Sequence, residues 1–585
     1  MSSPATCPAA DPALDAAVAH QRVVIAELEQ ALWAGGLDAA ALAPYQAAWR
    51  DLEALLARRG DPRHGFVLVI PVADNPRQTR ACLDSLLELC RTFGYGGERG
   101  GHYRKVRVLL ADDSQAPGPR AEHRALAETF TAAGLTVEYF GQAEQLALLD
   151  QVDAAELVPV LGVHDRADFS HKGQAMMRNI AYLHLARWAP EPEGTLFYTV
   201  DGDQLFRVAV ATPEGGREAC AVNYLFHLDE IFRQRDVAVL TGKVVGDPPV
   251  SPAVMAGNFL DDVLGFLTEM ADAAPEAPYR QPAPDGRGGD AAYHDMADLF
   301  GFRTPTQAYR FRCDLAGAPD NAACFAAFAG RLNRFFHGEH PTRVTWFNPG
   351  DALASVQPAR TVYTGNYVFR PEALDWFIPF APLRLRMSGP TLGRLLQAEL
   401  GPAFASANLP MLHRRTVADT GASEFRPGVR DQASQVDLCD EFERQFHGDV
   451  MLFAVEGLAR RGFPGRDPAP AEIKDELAAT QRAMGAKYRA RHEAMRARLA
   501  EFDALFADPA RWWHGRADLA EARARFRAFA ANLARHFGAD SPCLARIEAE
   551  DRRRDWLERQ ARALSGLARD RVAWRRALAQ ARLRP

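Results

Sequence analysis

The chain has 585 residues, of which 48% are hydrophobic and 25% are charged, and its formal net charge is -6. This composition is that of an ordinary soluble globular protein, and the length predicts roughly two to four domains. The negative net charge gives no general electrostatic reason to expect a nucleic-acid partner. No apolar run reaches the roughly 18 residues of a membrane span, and the N-terminus lacks the pattern of a secretory signal. We therefore expect a cytoplasmic protein, with any membrane contact peripheral.

Eight cysteines are spread along the chain, and none of them belongs to a Cys-x-x-Cys pair. Zinc sites and disulfide scaffolds are both recognised by close or regular cysteine spacing. The spacing therefore predicts neither a zinc site nor a dense disulfide framework, and a reducing compartment is the simplest interpretation. The cysteines are Cys7, Cys82, Cys90, Cys220, Cys313, Cys324, Cys439 and Cys543.

The N-terminal part is rich in Ala, Leu and Glu at helical spacing. Residues 12–59 predict a helical hairpin that is broken at Gly35-Gly36. Gly60-Asp-Pro62 is a natural boundary, because Gly and Pro interrupt regular structure. We expect a helical N-terminal extension over residues 1–61.

From residue 62 the pattern changes to short apolar strands that alternate with helices. This alternation predicts βαβ units and an α/β fold with a doubly wound, mostly parallel sheet, which we place over residues 62–428. The predicted strands are 66–71, 106–110, 135–140, 196–200 and 237–241, and the predicted helices are 78–93, 120–133 and 172–188.

Two further segments differ from this core. Residues 268–345 predict an insertion or lid, with a long Pro- and Gly-rich loop at 271–295 and a helix at 322–337. Residues 429–585 predict a helical C-terminal domain that ends in an Arg-rich segment. A solvated helix face is the simpler interpretation of those arginines, and contact with an anionic surface is the alternative. This helical tail is also a possible dimer contact.

The most informative motif is Asp201-Gly-Asp203, which directly follows the predicted strand 196–200. Two carboxylates one residue apart suit a hard divalent cation with oxygen ligands. The carboxyl end of a strand is also where open α/β sheets bind ligands. The simpler alternative is that these acids only end the strand and start a turn.

Three other motifs end strands or start a helix, so the same crevice can receive them. They are the strand and turn around Pro71, the pair Asp112-Asp113, and the helix start with Lys172, Gly173, Arg178 and Asn179. Asp112 and Asp113 could also form only a turn, and the two cations could be ordinary surface residues.

Together these motifs resemble the nucleotide-sugar-binding half of GT-A glycosyltransferases, especially the family-2-type group. The resemblance implies that Asp112 and Asp113 contact the nucleoside, and that the helix with Gly173 and Asn179 packs beside the nucleotide. It implies that Asp201 and Asp203 hold Mn²⁺ or Mg²⁺ on the donor diphosphate. Lys172 and Arg178 would offset the charge of the leaving group.

The resemblance continues to about residue 420. Asn366 lies in a segment similar to the strand that approaches donor and acceptor sugars, and Arg386 and Arg394 lie in the segment that follows it. His413 resembles the late His that completes the metal site. Ser388-Gly-Pro390 stands where the family has an acidic pair that serves as general base. This departure predicts retention of configuration or a base from elsewhere, such as Asp375.

The sequence thus predicts a metal-dependent glycosyltransferase of hexosyltransferase type with a nucleotide-diphospho-sugar donor. A carbohydrate or small-molecule acceptor is favoured over a protein. A sugar-nucleotide nucleotidyltransferase is an alternative, but residues 72–77 lack the Gly-rich loop that holds a triphosphate. A non-catalytic nucleotide-sugar-binding scaffold is a second alternative, which the substitution at 388–390 supports.

Overall fold

The computed structural model describes residues 11–188, 194–212, 215–249, 251–282, 310–414, 430–432 and 435–583. The strands are β1 (Gly65–Val72), β2 (Val106–Asp112), β3 (Thr136–Phe140), β4 (Thr195–Val200), β5 (Gln204–Leu205), β6 (Val208–Thr212), β7 (Gly215–Ala219), β8 (Val239–Gly246), β9 (Gln357–Pro358), β10 (Asn366–Phe369), β11 (Phe404–His413), β12 (Arg430–Gln432) and β13 (Gln435–Asp437).

Helices account for most of the remaining regular structure. The α-helices are α1 (Pro12–Ala34), α2 (Ala39–Arg59), α3 (Pro76–Phe93), α4 (Pro117–Ala132), α5 (Gln142–Leu149), α6 (Val158–Leu161), α7 (Gln174–Leu185), α8 (Tyr224–Gln234), α9 (Pro252–Asp272), α10 (Asn321–Leu332), α11 (Ser388–Leu400), α12 (Cys439–Ala459), α13 (Pro470–Ala507), α14 (Ala520–Phe537), α15 (Pro542–Glu548) and α16 (Glu550–Arg582). Short 3-10 helices lie at Asn333–His337, Pro371–Asp375, Ala381–Leu383, Gly401–Ala403, Trp512–His514 and Ala517–Leu519.

The main sheet is mixed but mostly parallel. Its strand order is β3-β2-β1-β4-β10-β8-β11-β5, and β9 pairs with β11. The strands β3, β2, β1 and β4 are mutually parallel, as are β8 and β11, whereas β10, β5 and β9 run antiparallel to their neighbours. Since β10 is antiparallel to both β4 and β8, the two parallel groups point the same way.

Helices cover both faces of the main sheet. The side chains of β1, which point alternately to the two faces, show this. Phe66, Leu68 and Ile70 belong to a core formed with α1–α4 and α8. Val67 and Val69 belong to the opposite core, which includes residues of α7 and of α9–α16. Successive strand residues point to opposite faces, so a run buried on both sides reads as continuously apolar. The predicted fold class, an α/β doubly wound mostly parallel sheet with helical extensions at both ends, is confirmed.

The strand directions gather several chain ends at one edge. β1, β2, β4, β8 and β11 all end at this edge, and the antiparallel β10 begins there, with Asn366 opposite Val200. We call it the carboxyl edge. The segments after β2, β4 and β11, and thus Asp113, Asp201 and His413, meet there although they are distant in sequence.

The C-terminal helices share one core with the sheet. Trp574 of α16 is buried, and its Nε1 donates to the Leu374 carbonyl at 2.7 Å. Phe529 of α14 lies 5.4 Å, centroid to centroid, from Phe259 of α9. Phe325 of α10, within the predicted insertion, packs at 4.8 Å on Phe526 of α14. Helix α10 of that insertion is therefore part of the core, and residues 283–309 of the insertion, which include the end of the predicted loop 271–295, lie outside the described residues.

The arginines of α16 are extensively paired with acids of other elements. Ion pairs join Arg571 to Glu399 at 2.6 Å, Arg575 to Asp375 at 3.0 Å and Arg552 to Glu443 at 2.7 Å. These arginines are used within the protein, and the choice between a solvated helix face and contact with an anionic surface stays a prediction. Among the described helices, none combines the length and the apolar character required to traverse a bilayer.

One disulfide occurs among the described residues, between Cys313 and Cys324 at the start of α10. The spacing of the cysteines did not predict it. The separation of 11 residues is not diagnostic of a motif, and only the turn before α10 brings the two side chains together.

A buried charge network ties the N-terminal hairpin to the sheet. The Arg63 guanidinium lies 2.8 Å from Glu53 of α2 and 2.9 Å from Asp229 of α8, and it stacks over Tyr95 at 4.3 Å. The side chains of Arg63, Glu53 and Asp229 are 6%, 4% and 4% exposed. Such a network is costly to break, because removal of one member leaves uncompensated buried charge.

We expect Arg63→Ala to lower the free energy of unfolding by about 3–5 kcal/mol, because two buried carboxylates lose their cation. Urea unfolding followed by circular dichroism measures this loss. The matched control is Arg22→Ala, since Arg22 pairs with Glu230 but is 46% exposed, and it should cost less than about 1 kcal/mol. Equal effects of the two variants would contradict the proposed role of Arg63.

His447 of α12 is a second buried group, and its burial makes the stability of the protein depend on pH. Its ring is completely buried and stacks on Trp556 at a centroid distance of 4.6 Å. Burial lowers the pKa of His447 to about 3, and the charges of Arg552 and Arg559 act in the same direction. The unfolded chain takes up this proton near pH 6.5. Stability is therefore lost as the pH falls from that value toward the folded pKa.

We expect His447→Phe, which keeps a ring against Trp556, to reduce the acid destabilisation between pH 7 and pH 5. The reduction should be on the order of 2 kcal/mol, because that is the cost of keeping one His neutral over this range. Urea midpoints measured at both pH values test this, with the exposed His20→Phe as the control that leaves the pH dependence unchanged. An unaltered pH dependence in His447→Phe would show that His447 does not contribute.

Candidate active site

The carboxyl edge holds a cluster of Asp201, Asp203 and His413. The antiparallel pairing of β5 with β11 brings it together, because Gln204 lies opposite His413 in that pairing. The turn from Asp201 to Gln204 is closed by a backbone hydrogen bond of 3.1 Å. As a result, His413 Nε2 lies 3.2 Å from Asp203 Oδ2, although 210 residues separate them. The pairing of β5 with β11 thus explains why Asp203 and His413 are close, which their separation in the sequence could not predict.

The second ring nitrogen of His413 sets how the imidazole is oriented. Nδ1 lies 2.5 Å from the Asp247 carbonyl, which can only accept, so Nδ1 carries a proton and donates it. Nε2 then points at the Asp203 carboxylate, which is also an acceptor. Either a proton or a metal cation must lie between the two acceptors. A His that donates its other N–H to a backbone carbonyl is typical of a metal ligand.

Asp201 is oriented by two neighbours. Arg178 of α7, whose side chain is 2% exposed, forms an ion pair with Asp201, which is 17% exposed. Gly365 packs against the other side, where an added Cβ would lie 2.6 Å from Asp201 Oδ2. Only a residue without a side chain fits there. Asp203 and His413 thus offer one oxygen and one nitrogen 3.2 Å apart, whereas Asp201 is bound to Arg178, and the metal role of the three residues stays a prediction.

Asp113 and Lys172 form a second charged pair at the same edge. Their side chains are 2.5 Å apart, and the Gly173 N–H donates to Asp113 Oδ2 at 3.1 Å. Lys172 also lies over the Phe169 ring at 4.2 Å. Burial lowers the pKa of Lys172, and the Asp113 carboxylate opposes that shift. The pair places one anion and one cation where β2 and the loop before α7 meet.

Asp112 is turned into the protein. Its carboxylate accepts from Tyr139 Oη at 2.9 Å and from the Ser114 N–H at 2.8 Å, and it lies 3.2 Å from His123 Nδ1. Burial disfavours ionisation, but the hydrogen bonds from His123 and Ser114 outweigh it, so the pKa of Asp112 is lowered. Asp112 is 1% exposed, and it anchors the end of β2. Asp113 is therefore better placed than Asp112 to meet a ligand.

Two residues that sequence reasoning did not single out span the crevice. Asp74 follows β1 with φ of 53°, and His171 precedes α7 with φ of 44°. His171 Nε2 lies 2.5 Å from Asp74 Oδ2, and Asp74 Oδ1 also accepts from the Ala116 N–H at 3.1 Å. A left-handed backbone in a residue other than Gly costs about 1–3 kcal/mol and concentrates at functional sites. The sequence feature that could have identified them is their position, because Asp74 follows a predicted strand and His171 precedes a predicted helix.

Three residues that the sequence predicted for the site, Asn366, Asn179 and Pro71, have structural roles within the fold. The Asn366 amide donates to the Lys243 and Leu409 carbonyls at 2.8 and 3.0 Å and accepts from Tyr198 Oη at 2.9 Å. Asn179 is fully buried and exchanges hydrogen bonds with the backbone of Ile378 at 2.9 and 3.0 Å. Both amides connect elements around the crevice. Pro71 lies inside β1, opposite Ala111 of β2.

Arg386, Arg394 and Asp375 lie in three different surroundings. Arg386 lines a small cavity together with Ala175, Phe380, Ser388 and Thr391. Arg394 is held by Glu456 at 3.1 Å and Thr361 at 3.2 Å. Asp375 follows the end of β10, beyond the opposite edge of the sheet, and pairs with Arg575. The structure thus does not bring Asp375 to the carboxyl edge, because β10 runs antiparallel to β4.

No family model matches the chain, and no curated protein matches it. Several solved structures are similar, among them the following three. The mannosyltransferase PcManGT from Pyrobaculum calidifontis, in complex with GDP-Man and Mn²⁺, is 12% identical over 89% of this chain and 99% of its own, with a TM-score of 0.31. TarS 1-349 from S. aureus is 13% identical over 80% and 90%, with a TM-score of 0.26. The apo form of mouse xyloside xylosyltransferase 1 is 14% identical over 37% and 62%, with a TM-score of 0.18. Likenesses this distant carry no functional argument.

We expect Gly365→Ala to destabilise the protein by about 1–3 kcal/mol. The new methyl would force the Asp201 carboxylate away and separate it from the buried Arg178. Urea unfolding measures the effect. Gly118→Ala is the control, since an added Cβ there meets nothing within 4 Å, and its stability should stay within about 0.5 kcal/mol. Unchanged stability in Gly365→Ala would contradict the fixed position of Asp201.

Proposed function

We propose that this protein is a metal-dependent glycosyltransferase that uses a nucleotide-diphospho-sugar donor. The arrangement of His413 carries the proposal. Its Nδ1 is fixed by the Asp247 carbonyl, so Nε2 faces Asp203 with its lone pair or with a proton. In this proposal Asp201 joins them when a hard divalent cation binds, at the edge where α/β sheets bind nucleotides.

In the proposed function, Asp201, Asp203 and His413 hold Mn²⁺ or Mg²⁺, which supplies charge compensation for the departing nucleoside diphosphate. The chain adds its own cations. Arg178 keeps Asp201 in place, and its guanidinium lies at the same edge to attract anionic phosphate oxygens. Its burial makes this attraction stronger than it would be in water.

The nucleoside end of the donor is assigned to the crevice beside Asp113. Lys172 and the Gly173 N–H hold the Asp113 carboxylate in one orientation. His171 lies beside this carboxylate, since its N–H donates to the Asp113 carbonyl at 3.0 Å, and its ring lies 2.5 Å from Asp74 Oδ2. An anchored carboxylate is suited to accept hydrogen bonds from ribose hydroxyls or from a base. Lys172 is 1% exposed, so its part in this proposal is to hold the Asp113 carboxylate.

The cavity lined by Arg386, Ser388 and Thr391 has a volume of about 20 Å³. This is room for roughly one water molecule, so we do not assign the carbohydrate or small-molecule acceptor to it. The neighbouring segment 388–390 lacks a carboxylate, and Asp375 is paired with Arg575 beyond the other edge. We therefore assign no base to Asp375. The anomeric configuration of the product will identify the stereochemical class.

The test is the release of nucleoside diphosphate from a panel of UDP-, GDP-, ADP- and dTDP-sugars, with and without Mn²⁺ or Mg²⁺. We expect one donor to be hydrolysed slowly, and only with metal present. Asp203→Asn preserves the size of the side chain, and it should lower this rate at least about 100-fold because it removes a metal ligand. Its melting temperature should stay close to that of the unaltered protein.

The exposed Asp84→Asn on α3 is the matched control and should retain the full rate. An unaffected Asp203→Asn would overturn the metal assignment. If no donor is hydrolysed, thermal shifts with the same panel decide the outcome. Stabilisation by one donor would support donor binding that requires an acceptor for turnover, and no stabilisation by any of them would overturn the proposed function.

A further inference from the structure

A second group of potential metal ligands lies in the C-terminal helices, away from the carboxyl edge. Cys439 is the first residue of α12, His536 lies near the end of α14, and Cys543 lies in α15. Their ligand atoms all lie within 4.8 Å of one another, and the two sulfur atoms are 3.0 Å apart. His536 and Cys543 are 1% and 0% exposed. Three helices therefore meet at a buried set of soft ligand atoms.

The hydrogen bonds of His536 fix its tautomer. Nε2 lies 3.1 Å from the Leu438 backbone N–H, which can only donate, so Nε2 carries a lone pair. Nδ1 therefore carries the proton and donates it to the Asn532 carbonyl at 2.7 Å. A neutral His with one nitrogen bound to a backbone carbonyl and the other presented as a lone pair is how His binds metals. That lone pair points to the start of α12, beside Cys439.

Cys439 lies at the N-terminus of α12, a helix of 21 residues, and Asp437 is adjacent to it, with a carboxylate that accepts from the Cys439 N–H at 2.9 Å. The oxygen atoms of Asp437 lie outside the group whose ligand atoms are all within 4.8 Å of one another. Two sulfurs and one imidazole are a known set of three protein ligands for tetrahedral Zn²⁺.

We propose that Cys439, His536 and Cys543 bind a structural Zn²⁺ ion. Zn–S bonds of about 2.3 Å in a tetrahedron place two sulfurs about 3.8 Å apart, so the thiols must separate by roughly 0.8 Å. Zinc would also replace the Leu438 N–H as the partner of His536. The bound ion would clamp α12, α14 and α15 together.

The site is independent of the proposed donor site. It consists of two thiols and an imidazole in a closed interior, whereas Asp201, Asp203 and His413 favour a harder cation at the carboxyl edge. The two metals can be removed by different substitutions. Cysteine spacing could not predict this zinc site, because its ligands come from three separate helices.

The first experiment measures metal in the full chain, purified without a polyhistidine tag and without chelators. Elemental analysis should give about one zinc per chain, as expected for a structural site. Cys543→Ser should lose this zinc. The matched control Cys90→Ser, a buried free cysteine of α3, should keep it, as should Asp203→Asn. Retention of zinc by Cys543→Ser would overturn the proposal.

A second experiment keeps the test decisive if Cys543→Ser does not fold. The zinc of the unaltered protein is exchanged for Co²⁺, which gives a thiolate-to-cobalt charge-transfer absorption when sulfur binds it. We expect this band, and we expect a lower melting temperature after the metal is removed. Absence of both zinc and the cobalt band would overturn the proposal. So would peptide mapping that finds a Cys439–Cys543 disulfide in the protein as purified.

Discussion

The side-chain amide of Asn366 joins the two halves of the sheet, and the candidate site depends on that junction. β10 is antiparallel to both neighbours and lies between the parallel groups ending in β4 and beginning with β8. Asn366 binds Tyr198 of β4, Lys243 of β8 and Leu409 of β11 at one level of the sheet. Asp201 follows the first of these strands and His413 ends the last. The geometry of the cluster therefore follows from how β10 is held.

Charge at the carboxyl edge is balanced before any ligand arrives. Arg178 is paired with Asp201, and Lys172 is paired with Asp113. Each cation is almost fully buried, so it could not persist without its carboxylate. An anionic ligand that brings its own cation can enter such a site without changing the net charge of the interior. A divalent metal with a diphosphate has this property, which makes the paired resting state and the proposed donor compatible.

Local patterns predicted the elements, whereas long-range pairing determined the site. The apolar run of β1 and the helical spacing of α1 and α2 were sufficient to predict these elements, because each signal lies within a few residues. Asn366 was predicted to face a sugar, but its partners lie on three other strands that no local pattern specifies. The meeting of Cys439 with Cys543 is equally non-local. Pairing between distant segments is set by tertiary packing, which local periodicity does not encode.

The C-terminal helices contribute to the site itself. Met451 of α12 lines the cavity beside Arg386, and an added Cβ at Gly448 would lie 2.4 Å from the Arg386 carbonyl, so α12 packs tightly on this segment. The same helix begins at Cys439. A metal bound there would fix the start of the helix that packs on the Arg386 segment. Stability of the helical region and the position of that segment then depend on one rigid element, because a helix transmits position along its axis over its whole length.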